Sequence, residues 1–343
     1  MRCRIWVNQW FSTMYQIIKQ LREGAEADGL NLHIIGTSTN QNVVYQKVCD
    51  EFWEEPKKGI SPEDYVEWCL TFCREHQVDV FIPKRHMIAI AKRKEAFTEL
   101  GIKVLVEDDI ELLENFNNKV KTAELFKALP EICNVPPFEV VTDVEAFKLS
   151  YEKLKQQLGK SAVLCVKYAV GEGASSFNII EDGPVSIKQL EMSEKHIGYE
   201  AIVEILGSIE SFKPLIIMPY LKGTEISIDA LKTQHGVIAV PRRKGPGRLQ
   251  EICCSQELIN KAAVLAERFG FNQPFNLQLR YHEDTLYLLE VNTRMSGGIH
   301  YSYYAGINLP YLALKKLLGQ VVEVPVYPPD IIDLVYVEQP VIL

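Results

Sequence analysis

The sequence predicts an α/β fold in its first part and an α+β fold in the rest. Strand-like and helix-like segments alternate over the first third, as they do in the βαβ units that build a parallel sheet. The remaining residues are richer in strands, and a boundary near residue 113 fits this change. A chain of 343 residues is long enough for two or three domains with sizeable cores.

The first predicted domain, residues 1–113, follows from its alternating elements. Strands are expected at Arg4–Val7, Asn31–Ile35, Val78–Ile82 and Lys103–Val106, and helices at Ser12–Ala27, with Ser12 as N-cap, and at Met87–Leu100. The dinucleotide fingerprint GxGxxG does not occur. The segment "IPKRH" stands at the C-terminal end of a predicted strand, where open α/β sheets bind ligands. A solvated basic turn is the alternative.

The second region, residues 114–320, is predicted to combine helices with a larger share of strands. Helices are expected at Lys119–Ala128, Asp143–Leu158, Gln256–Phe269 and Leu309–Leu318. Strands are expected at Ala162–Tyr168, Phe177–Ile180, on either side of Gly223, and at Phe275–Tyr281 and Thr285–Val291. Residues 321–343 are rich in Pro and Val, which predicts an extended tail packed on the body.

The composition is that of an ordinary soluble globular protein, with 47% hydrophobic and 24% charged residues. The net charge of -8 argues against nucleic acid or an anionic membrane as the main partner. We find no apolar run long enough to span a bilayer, and the N-terminus "MRCRIWVNQW" is typical of a strand rather than of a signal peptide. A cytoplasmic protein without nucleic-acid or membrane partners is therefore expected.

The 8 cysteines form no CxxC pair, which also favours a cytoplasmic protein. Cys69 and Cys73 lie one turn apart in a predicted helix, with His76 three residues further on. A metal site is one interpretation, and two packed thiols on an apolar face are the favoured alternative. The adjacent Cys253 and Cys254 are expected to be reduced.

Polar side chains alternate along the strand near the end of the second region. Glu290, Asn292 and Arg294 stand two residues apart and therefore point to one face. In the preceding strand, "FNLQLR", a hairpin places Gln278 beside Glu290 and Asn292. Oxygen donors of this kind suit a hard cation such as Mg²⁺, which usually takes its other ligands from water and substrate phosphates. A hydrogen-bonded polar patch on an exposed face is the alternative.

A loop of small residues follows the strand that carries Lys167. It contains Gly171, Gly173, Ser175 and Ser176. Such a loop lets backbone N–H groups approach phosphate oxygens, and a fixed ammonium adds positive charge. The order GxxxxGK[ST] of a P-loop is missing, and a lysine followed by glycine is also common at strand ends.

The segment "PLIIMPYLKGTEISID" is a third candidate. A strand that carries a proline and then ends leaves backbone N–H and C=O groups for the edge of a base, and Glu225 can accept hydrogen bonds from a ribose. An edge strand with an exposed glutamate is the alternative.

The basic segment "VPRRKGPGR" follows a predicted strand. Arg242 and Arg243 are interpreted as an anion anchor for a substrate carboxylate or a transferred phosphate. For Lys244 and Arg248 a mobile, solvated loop is the alternative, because glycines and a proline flank them.

Four further residues have two interpretations each. Asp229 faces either the metals or the ribose, or it caps a strand end. His300, Tyr301 and Tyr303 line an acceptor pocket or serve in packing.

These motifs, in this order, resemble the ATP-grasp superfamily, most closely the synthetase domains of the carbamoyl-phosphate synthetase large subunit. The resemblance covers about residues 115–320 and rests mainly on "FNLQLR" paired with "LLEVNTRMSGG". It implies an N-terminal pre-ATP-grasp domain followed by a two-lobed ATP-grasp domain, with a small lid subdomain at about residues 140–211.

The resemblance also implies a role for each matching residue. Gln278 and Glu290 would hold one Mg²⁺ ion, and Glu290 with Asn292 a second, with Mn²⁺ as a substitute. Arg294 would contact the γ-phosphate or the acyl phosphate formed from it, and it joins Arg242 and Arg243 as a predicted catalytic residue. The implied ATP contacts are the phosphate ligands Lys119 and Lys167, the loop residues Gly171, Gly173, Ser175 and Ser176, the adenine hinge Met218, Pro219, Tyr220 and Leu221, and the ribose carboxylate Glu225.

The activity implied by the resemblance is that of a ligase. ATP would phosphorylate a carboxylate, and an amine or amino acid would then displace phosphate. One grasp unit instead of two, and no segment suited to glutamine hydrolysis, argue against carbamoyl phosphate synthesis itself. The alternatives are a kinase that releases a phosphorylated product and a non-catalytic nucleotide sensor. Small-molecule substrates and a homodimer are expected. The chain is also a candidate member of a subgroup that is associated with tellurite-resistance operons.

Overall fold

The chain forms two compact units. The computed structural model describes residues 2–57, 59–171, 176–190, 192, 195–338 and 340–342. Unit 1 comprises Met1–Glu114, Glu225–Gln278 and Val291–Leu343, and unit 2 comprises Asn115–Thr224 and Leu279–Glu290. Each unit has its own sheet structure and its own hydrophobic core.

The N-terminal part of unit 1 is a parallel five-stranded sheet with helices. Its strands are β1 (Arg2–Asn8), β2 (Asn31–Ser38), β3 (Glu51–Glu54), β4 (Val80–Ile82) and β5 (Lys103–Val104), in the order β3–β2–β1–β4–β5. The helices are α1 (Met14–Ala27), α2 (Pro62–Glu75), α3 (Met87–Lys92), α4 (Lys94–Glu99) and α5 (Ile110–Phe116). The predicted α/β class and parallel sheet are confirmed.

Two helix predictions in this region need correction. Thr13 rather than Ser12 occupies the N-cap of α1, and its side chain makes no capping hydrogen bond. The single helix predicted over Met87–Leu100 is two helices, because Arg93 leaves the helical region with φ -117° and ψ 18°. By contrast, α2 begins as its sequence indicates, since the Ser61 side chain accepts a hydrogen bond from the Asp64 N–H.

The cysteines of α2 belong to the core rather than to a metal site. Cys69 and Cys73 are buried beside Trp6 and Phe81, whose rings stack with centroids 3.9 Å apart. Burial raises the pKa of both thiols. Within the residues that the structure describes, no group of three or more His, Cys, Asp or Glu side chains could hold a metal ion. The packed-thiol interpretation is therefore the one that the structure supports.

Unit 2 is built on a second five-stranded sheet. Its strands are β6 (Glu139–Val141), β7 (Leu164–Tyr168), β8 (Asn178–Glu181), β9 (His196–Gly198) and β10 (Leu215–Pro219), in the order β6–β10–β7–β8–β9. All neighbours are antiparallel except β8 and β9. The helices are α6 (Lys119–Phe126), α7 (Val144–Leu158), α8 (Ile187–Leu190) and α9 (Tyr199–Gly207).

The strands between Glu225 and Val335 form a six-stranded sheet. Its strands are β11 (Glu225–Thr233), β12 (Gly236–Lys244), β13 (Leu249–Ile252), β14 (Phe275–His282), β15 (Thr285–Asn292) and β16 (Ile332–Val335), in the order β15–β14–β11–β12–β13–β16. The helices of this region are α10 (Gln256–Phe269) and α11 (Leu309–Leu317). The division between the units falls inside β14, after Gln278, and again after Glu290 in β15.

The strands on either side of Gly223 belong to different sheets. The sequence predicts β10 and β11 as two strands around a glycine turn, but β10 pairs with β6 and β7, and β11 pairs with β12. The tail predicted as extended contains β16, which pairs antiparallel with β13. None of the helices within the described ranges is long and apolar enough to cross a membrane.

The first and last parts of the chain share one core in unit 1. Ile17 and Leu21 of α1 are fully buried in the same cluster as Leu309 and Leu314 of α11. Gly24 of α1 lies directly under the Tyr311 ring, where a Cβ atom would be 2.3 Å from a ring carbon. The close approach of α1 and α11 therefore depends on this glycine.

Candidate functional site

A row of polar side chains lies on one face of the six-stranded sheet. The register places Glu225 opposite Lys244 and Ser227 opposite Arg242. Because directly opposed residues project to the same face, and every second residue shares it, Asp229 belongs to this face as well. The opposite face carries buried apolar side chains such as Ile226 and Ile228. The sheet thus separates a polar surface from its core.

Asn276 of β14 is the centre of this polar row. The residue is fully buried, and its amide nitrogen donates to Ser227 Oγ at 3.0 Å and to Asp229 Oδ1 at 3.1 Å. Its carbonyl oxygen accepts from Gln278 Nε2 at 2.8 Å and from Asn292 Nδ2 at 3.5 Å. Asn276 therefore fixes the orientation of two predicted metal ligands, with the Gln278 carbonyl oxygen turned away from it.

Asp229 lies in the middle of β11 rather than at a strand end. Its carboxylate is buried, and burial raises its pKa, while Arg242, Ser296 and Asn276 act in the opposite direction. The interpretation of Asp229 as a cap for a strand end is therefore wrong. The carboxylate belongs to the same network as Asn276 and Gln278.

Arg242 is a buried arginine with an unusually confined guanidinium. It is 6% exposed, donates to Gln250 Oε1 and lies over the Tyr301 ring with Cζ 4.8 Å from the centroid. A Cβ atom on Gly298 would lie 2.2 Å from Arg242 Nη2, so only glycine leaves room for the guanidinium. Its charge acts against burial and lowers the pKa of the nearby buried Asp229 carboxylate, and an arginine held in this way can also contact an anionic ligand.

The other basic residues of this segment have different partners or lie on a different face from Arg242. Arg242, Arg243 and Lys244 are part of β12, not of a loop after it. Lys244 forms an ion pair with Glu225, the predicted ribose ligand, so its interpretation as a solvated loop residue is wrong. Arg243 stands opposite Ile226 and Glu251, on the other face of the strand from Arg242. Arg248 lies beyond the strand and pairs with Glu338 at 2.8 Å.

Arg294 follows the end of β15. Its guanidinium donates to the Met295 carbonyl at 3.2 Å, and Cζ lies 5.6 Å from the centroid of the Phe11 ring. Glu290 and Asn292 are still in the strand, whereas Arg294 lies two residues beyond its end, in a bend.

His300 and its neighbours differ in burial. His300 is buried, its Nδ1 lies 3.0 Å from the Gly297 carbonyl, and burial lowers its pKa to about 4. Its imidazole is therefore neutral near pH 7. Tyr301 lies under Arg242, whereas Tyr303 is exposed. The packing interpretation holds for His300, and Tyr301 supports the guanidinium.

Unit 2 holds two lysines predicted to bind phosphates. Lys119 opens α6, and its Nζ donates to the Gly171 carbonyl at 2.6 Å. Gly171 has a φ of 141°, which is a glycine conformation. Ser176 accepts a hydrogen bond from the Tyr168 N–H at 3.0 Å, which ties the loop end to β7. Gly173 and Ser175 lie outside the described residues.

Lys167 of β7 has an altered proton affinity. Burial lowers the pKa of its ammonium, and the positive charges of Lys119 and Arg280 act in the same direction. Cys165 and Glu290 oppose this shift. All of these groups belong to unit 2. A concentration of positive charge around a partly desolvated lysine is suited to polyphosphate.

The predicted adenine hinge is the end of β10. Met218 and Pro219 pair with Cys165 and Leu164 of β7. The Tyr220 N–H donates to the Val163 carbonyl at 2.8 Å, and the Leu221 carbonyl accepts from Arg280 at 3.2 Å. The backbone around the hinge is therefore held by β7 and by Arg280.

The predicted metal ligands offer hard oxygen donors. Gln278, Glu290 and Asn292 supply one carboxylate and two amides. This set fits Mg²⁺, which binds through one or two carboxylates and takes further ligands from substrate phosphates. It does not fit a metal that needs nitrogen or sulfur ligands.

Sequence reasoning missed Asn276 and Arg280. Both lie in "FNLQLR" and alternate with Gln278 along the strand, but only Gln278 was chosen as a ligand. The missing signal was the register of β11 against its neighbours, which brings Ser227 and Asp229 to Asn276.

A protein-family comparison agrees with the resemblance. The model described as "ATP-grasp in the biosynthetic pathway with Ter operon" matches residues 211–340. The predicted resemblance to the ATP-grasp superfamily is confirmed by this match.

Solved structures share the fold over most of the chain. A biotin carboxylase from Campylobacter jejuni matches with a TM-score of 0.66 and 16% identity, over 93% of this chain and 72% of that chain. A purK N5-carboxyaminoimidazole ribonucleotide synthetase matches with a TM-score of 0.64 and 12% identity, over 95% of this chain and 79% of that chain. An L-amino acid ligase from Bacillus licheniformis matches with a TM-score of 0.59 and 19% identity, over 92% of this chain and 74% of that chain. At these identities the likeness establishes the fold.

Proposed function

We propose that this chain, which has the ATP-grasp fold, is an ATP-dependent ligase that joins a carboxylate to an amine or amino acid. The carboxylate is activated as an acyl phosphate, with ADP and phosphate as products. The observation that carries the proposal is the polar network centred on Asn276, which holds Gln278 and Asn292 in place for a metal-bound polyphosphate. The family description and the amino acid ligase of similar fold also support it.

The residues predicted from the resemblance receive roles toward the nucleotide. Lys119 and Lys167 bind its phosphates, and the backbone of Met218–Leu221 binds the adenine. Glu225 binds the ribose, exchanging its ion pair with Lys244 for the sugar hydroxyls. Gln278, Glu290 and Asn292 would hold Mg²⁺, which would neutralise phosphate charge and orient the phosphates.

Phosphoryl transfer requires positioning and charge stabilisation more than a protein nucleophile. An oxygen of the substrate carboxylate attacks the γ-phosphorus, the bond between that phosphorus and the β–γ bridging oxygen breaks, and ADP leaves. Arg294 and Arg242 stabilise the negative charge that develops on the transferred group. The amine nitrogen then attacks the acyl carbon, the carbon–oxygen bond to phosphate breaks, and the amine loses a proton to solvent.

Arg243 receives no catalytic role in this proposal. It stands on the opposite face of β12 from Arg242, across from the apolar Ile226. A strand presents only alternate residues to one ligand, so one arginine of the pair serves as the anion anchor.

The test measures Mg²⁺-dependent ATP turnover with pooled carboxylates and amino acids, separating ADP plus phosphate from AMP plus pyrophosphate. Glu290→Gln removes the carboxylate that would hold the metal while keeping the size of the side chain, and we expect it to lower turnover by about 10²–10³-fold. Glu257→Gln, on the exposed face of α10, is the control and retains wild-type turnover.

Each outcome separates the proposal from its alternatives. ADP and phosphate that appear only with certain pools, and disappear in Glu290→Gln, support the ligase. A stable phosphorylated product without any amine indicates a kinase. AMP and pyrophosphate contradict the acyl-phosphate mechanism, and ATP binding without turnover in every pool indicates a sensor.

A further inference from the structure

An ion pair lies at one end of the polar row on the six-stranded sheet. Glu225 begins β11 and Lys244 ends β12, and the register sets the two residues directly opposite each other. The Lys244 ammonium pairs with the Glu225 carboxylate. The residue proposed to bind the ribose is thus joined to a lysine to which the proposed function gives no role. A new partner for Glu225 therefore affects Lys244 directly.

Lys244 lies on the same face of β12 as Arg242. Alternate residues of a strand project to one face, and two residues span about 6.5 Å along it. Burial raises the pKa of the Asp229 carboxylate, and the charges of Arg242 and Lys244 both act in the opposite direction. The ammonium of Lys244 therefore acts on the interior of the polar row. Arg242 and Lys244 are the two cations that β12 places on this face.

The two cations differ in exposure. Arg242 is 6% exposed, and Gln250, Tyr301 and Gly298 confine its guanidinium. The side chain of Lys244 is 38% exposed. A lysine has a compact charge on a flexible stem, so its ammonium can move while the backbone stays in place. Arg242 is therefore the fixed cation and Lys244 the movable one.

The backbone at Lys244 is held on both sides. It pairs with Glu225 of β11 and with Gln250 of β13. In the turn that follows, the Gly245 N–H donates to the Leu249 carbonyl at 3.1 Å. When Glu225 takes another partner, the side chain of Lys244 is therefore expected to respond rather than the strand.

A ribose at Glu225 would compete with Lys244 for one carboxylate. Ribose hydroxyls that donate to this carboxylate weaken its attraction for the ammonium. Two cations on one face repel each other once the carboxylate is engaged elsewhere, and an anion held by both relieves the repulsion. Binding of the ribose at Glu225 should therefore increase the affinity of this face for an anion.

We propose that Glu225 neutralises Lys244 until a nucleotide binds, and that the released Lys244 then joins Arg242 as the second cation for the transferred phosphate. The inference rests on the proposed ligase function, and it adds a residue and a coupling between two parts of the site. Because such coupling is reciprocal, phosphate should strengthen nucleotide binding by the same factor.

The experiment measures the affinity of inorganic phosphate for the full chain by calorimetric titration. The chain is saturated with Mg²⁺ and with either ADP or dideoxy-ADP, which lacks both ribose hydroxyls and carries the same charge. Lys244→Met removes the second cation, Glu225→Gln removes the carboxylate that neutralises it, and the double variant combines both changes. Lys232→Met and Glu267→Gln, which break an ion pair between β11 and α10, are the controls.

We expect the wild type to bind phosphate about fivefold more tightly with ADP than with dideoxy-ADP. Lys244→Met should bind it equally weakly with both nucleotides. Glu225→Gln should bind it tightly with both, and the double variant should lose this gain, whereas the controls should behave as the wild type does. Equal phosphate affinity with the two nucleotides in the wild type, or a gain in Glu225→Gln that persists in the double variant, would overturn the proposal.

The outcomes also separate this proposal from the proposed function. Titration of phosphate without nucleotide compares Glu225→Gln with the wild type, and a gain that requires Lys244 supports the proposed neutralisation, whereas no gain contradicts it. Failure of ADP to bind with Mg²⁺ would contradict the proposed function. Ribose-dependent phosphate binding without turnover in any pool would leave the role of Lys244 standing and contradict the ligase.

Discussion

Lys167, which we propose as a phosphate ligand, has a charge that depends on its surroundings. Burial and two nearby cations disfavour its protonated form, and Glu290 only partly offsets them. Its pKa in the free protein is therefore below the usual 10.5. In the unfolded chain the lysine binds its proton more tightly, so this group makes the free energy of unfolding rise with pH between the two pKa values.

The first prediction concerns ATP affinity and pH. ATP favours the protonated lysine, so the Kd for ATP should increase by up to about tenfold per pH unit above the lowered pKa. Lys167→Arg should flatten this dependence, because arginine keeps its charge over the range. Titrations of ATP between about pH 7 and 10 measure both. A wild-type Kd that is independent of pH would contradict the role of Lys167.

The second prediction uses two adjacent glycines with different surroundings. In Gly298→Ala the new Cβ meets the Arg242 guanidinium at 2.2 Å, so the guanidinium must leave its place over Tyr301. Turnover should fall about a hundredfold, and the free energy of unfolding by about 1–3 kcal/mol.

Gly297→Ala is the matched control for this change. Its Cβ would meet Thr13 and Phe11 at 3.6 Å and 3.7 Å, which are ordinary contacts. Kinetics and chemical denaturation of both variants test the prediction. Equal activity of the two variants would show that the position of Arg242 is not needed for turnover.

Single residues were predictable where one strand contains the whole pattern. Glu290 and Asn292 share a face because alternation along β15 is a local property. Asn276 was missed because its importance depends on β11, which is distant in sequence. Arg242 and Arg243 were treated as a pair because the sequence did not reveal that β12 continues through both of them.

At the level of elements, the packing of α1 on α11 leads to the third prediction. Replacing an exposed glycine inside a helix by alanine usually stabilises the protein. Gly24→Ala should do the reverse, because its Cβ would lie 2.3 Å from the buried Tyr311 ring. We expect a loss of about 1–3 kcal/mol in the free energy of unfolding.

Gly207→Ala provides the comparison in another helix. Gly207 ends α9, and a Cβ there would meet no atom within 4 Å. Thermal or urea denaturation should show a loss for Gly24→Ala and none for Gly207→Ala. A Gly24→Ala protein as stable as the wild type would mean that the two helices can move apart without cost.

Elements with strong local signals were predicted closely. Helix α10 has the predicted bounds, Gln256–Phe269, and Ser255 caps its first turn. The break at Arg93 was missed because no glycine or proline marks it. The separation of β10 and β11 into different sheets was also missed, since neighbouring strands in sequence usually pair and only tertiary contacts decide otherwise.

For the whole molecule, the two units lead to a fourth prediction. Among the residues that the structure describes, the two clusters around Phe147 and Cys165 have buried members from unit 2 alone. Separate cores allow separate cooperative unfolding. Calorimetry should give a total enthalpy larger than the van't Hoff enthalpy, with two resolvable transitions. One transition with equal enthalpies would show that the chain unfolds as a single unit.

The parallel sheet and the change to a strand-rich region were predictable for the whole chain. Both follow from the order of elements, which the sequence displays directly. Which segments of the chain make up unit 1 was not predictable. Glu225–Gln278 and Val291–Leu343 join the N-terminal part only through tertiary contacts.

The core shared by α1 and α11 has a consequence for synthesis on the ribosome. The apolar face of α1 emerges early, but Met295, Leu309 and Val322, which belong to the same core cluster, are translated much later. At about 5–20 residues per second, this interval is on the order of tens of seconds. During that time part of the apolar face of α1 lacks its later packing partners. Unit 2 is largely contiguous in sequence and can fold first. Chaperone capture of nascent chains should therefore end only after residue 322 has left the exit tunnel.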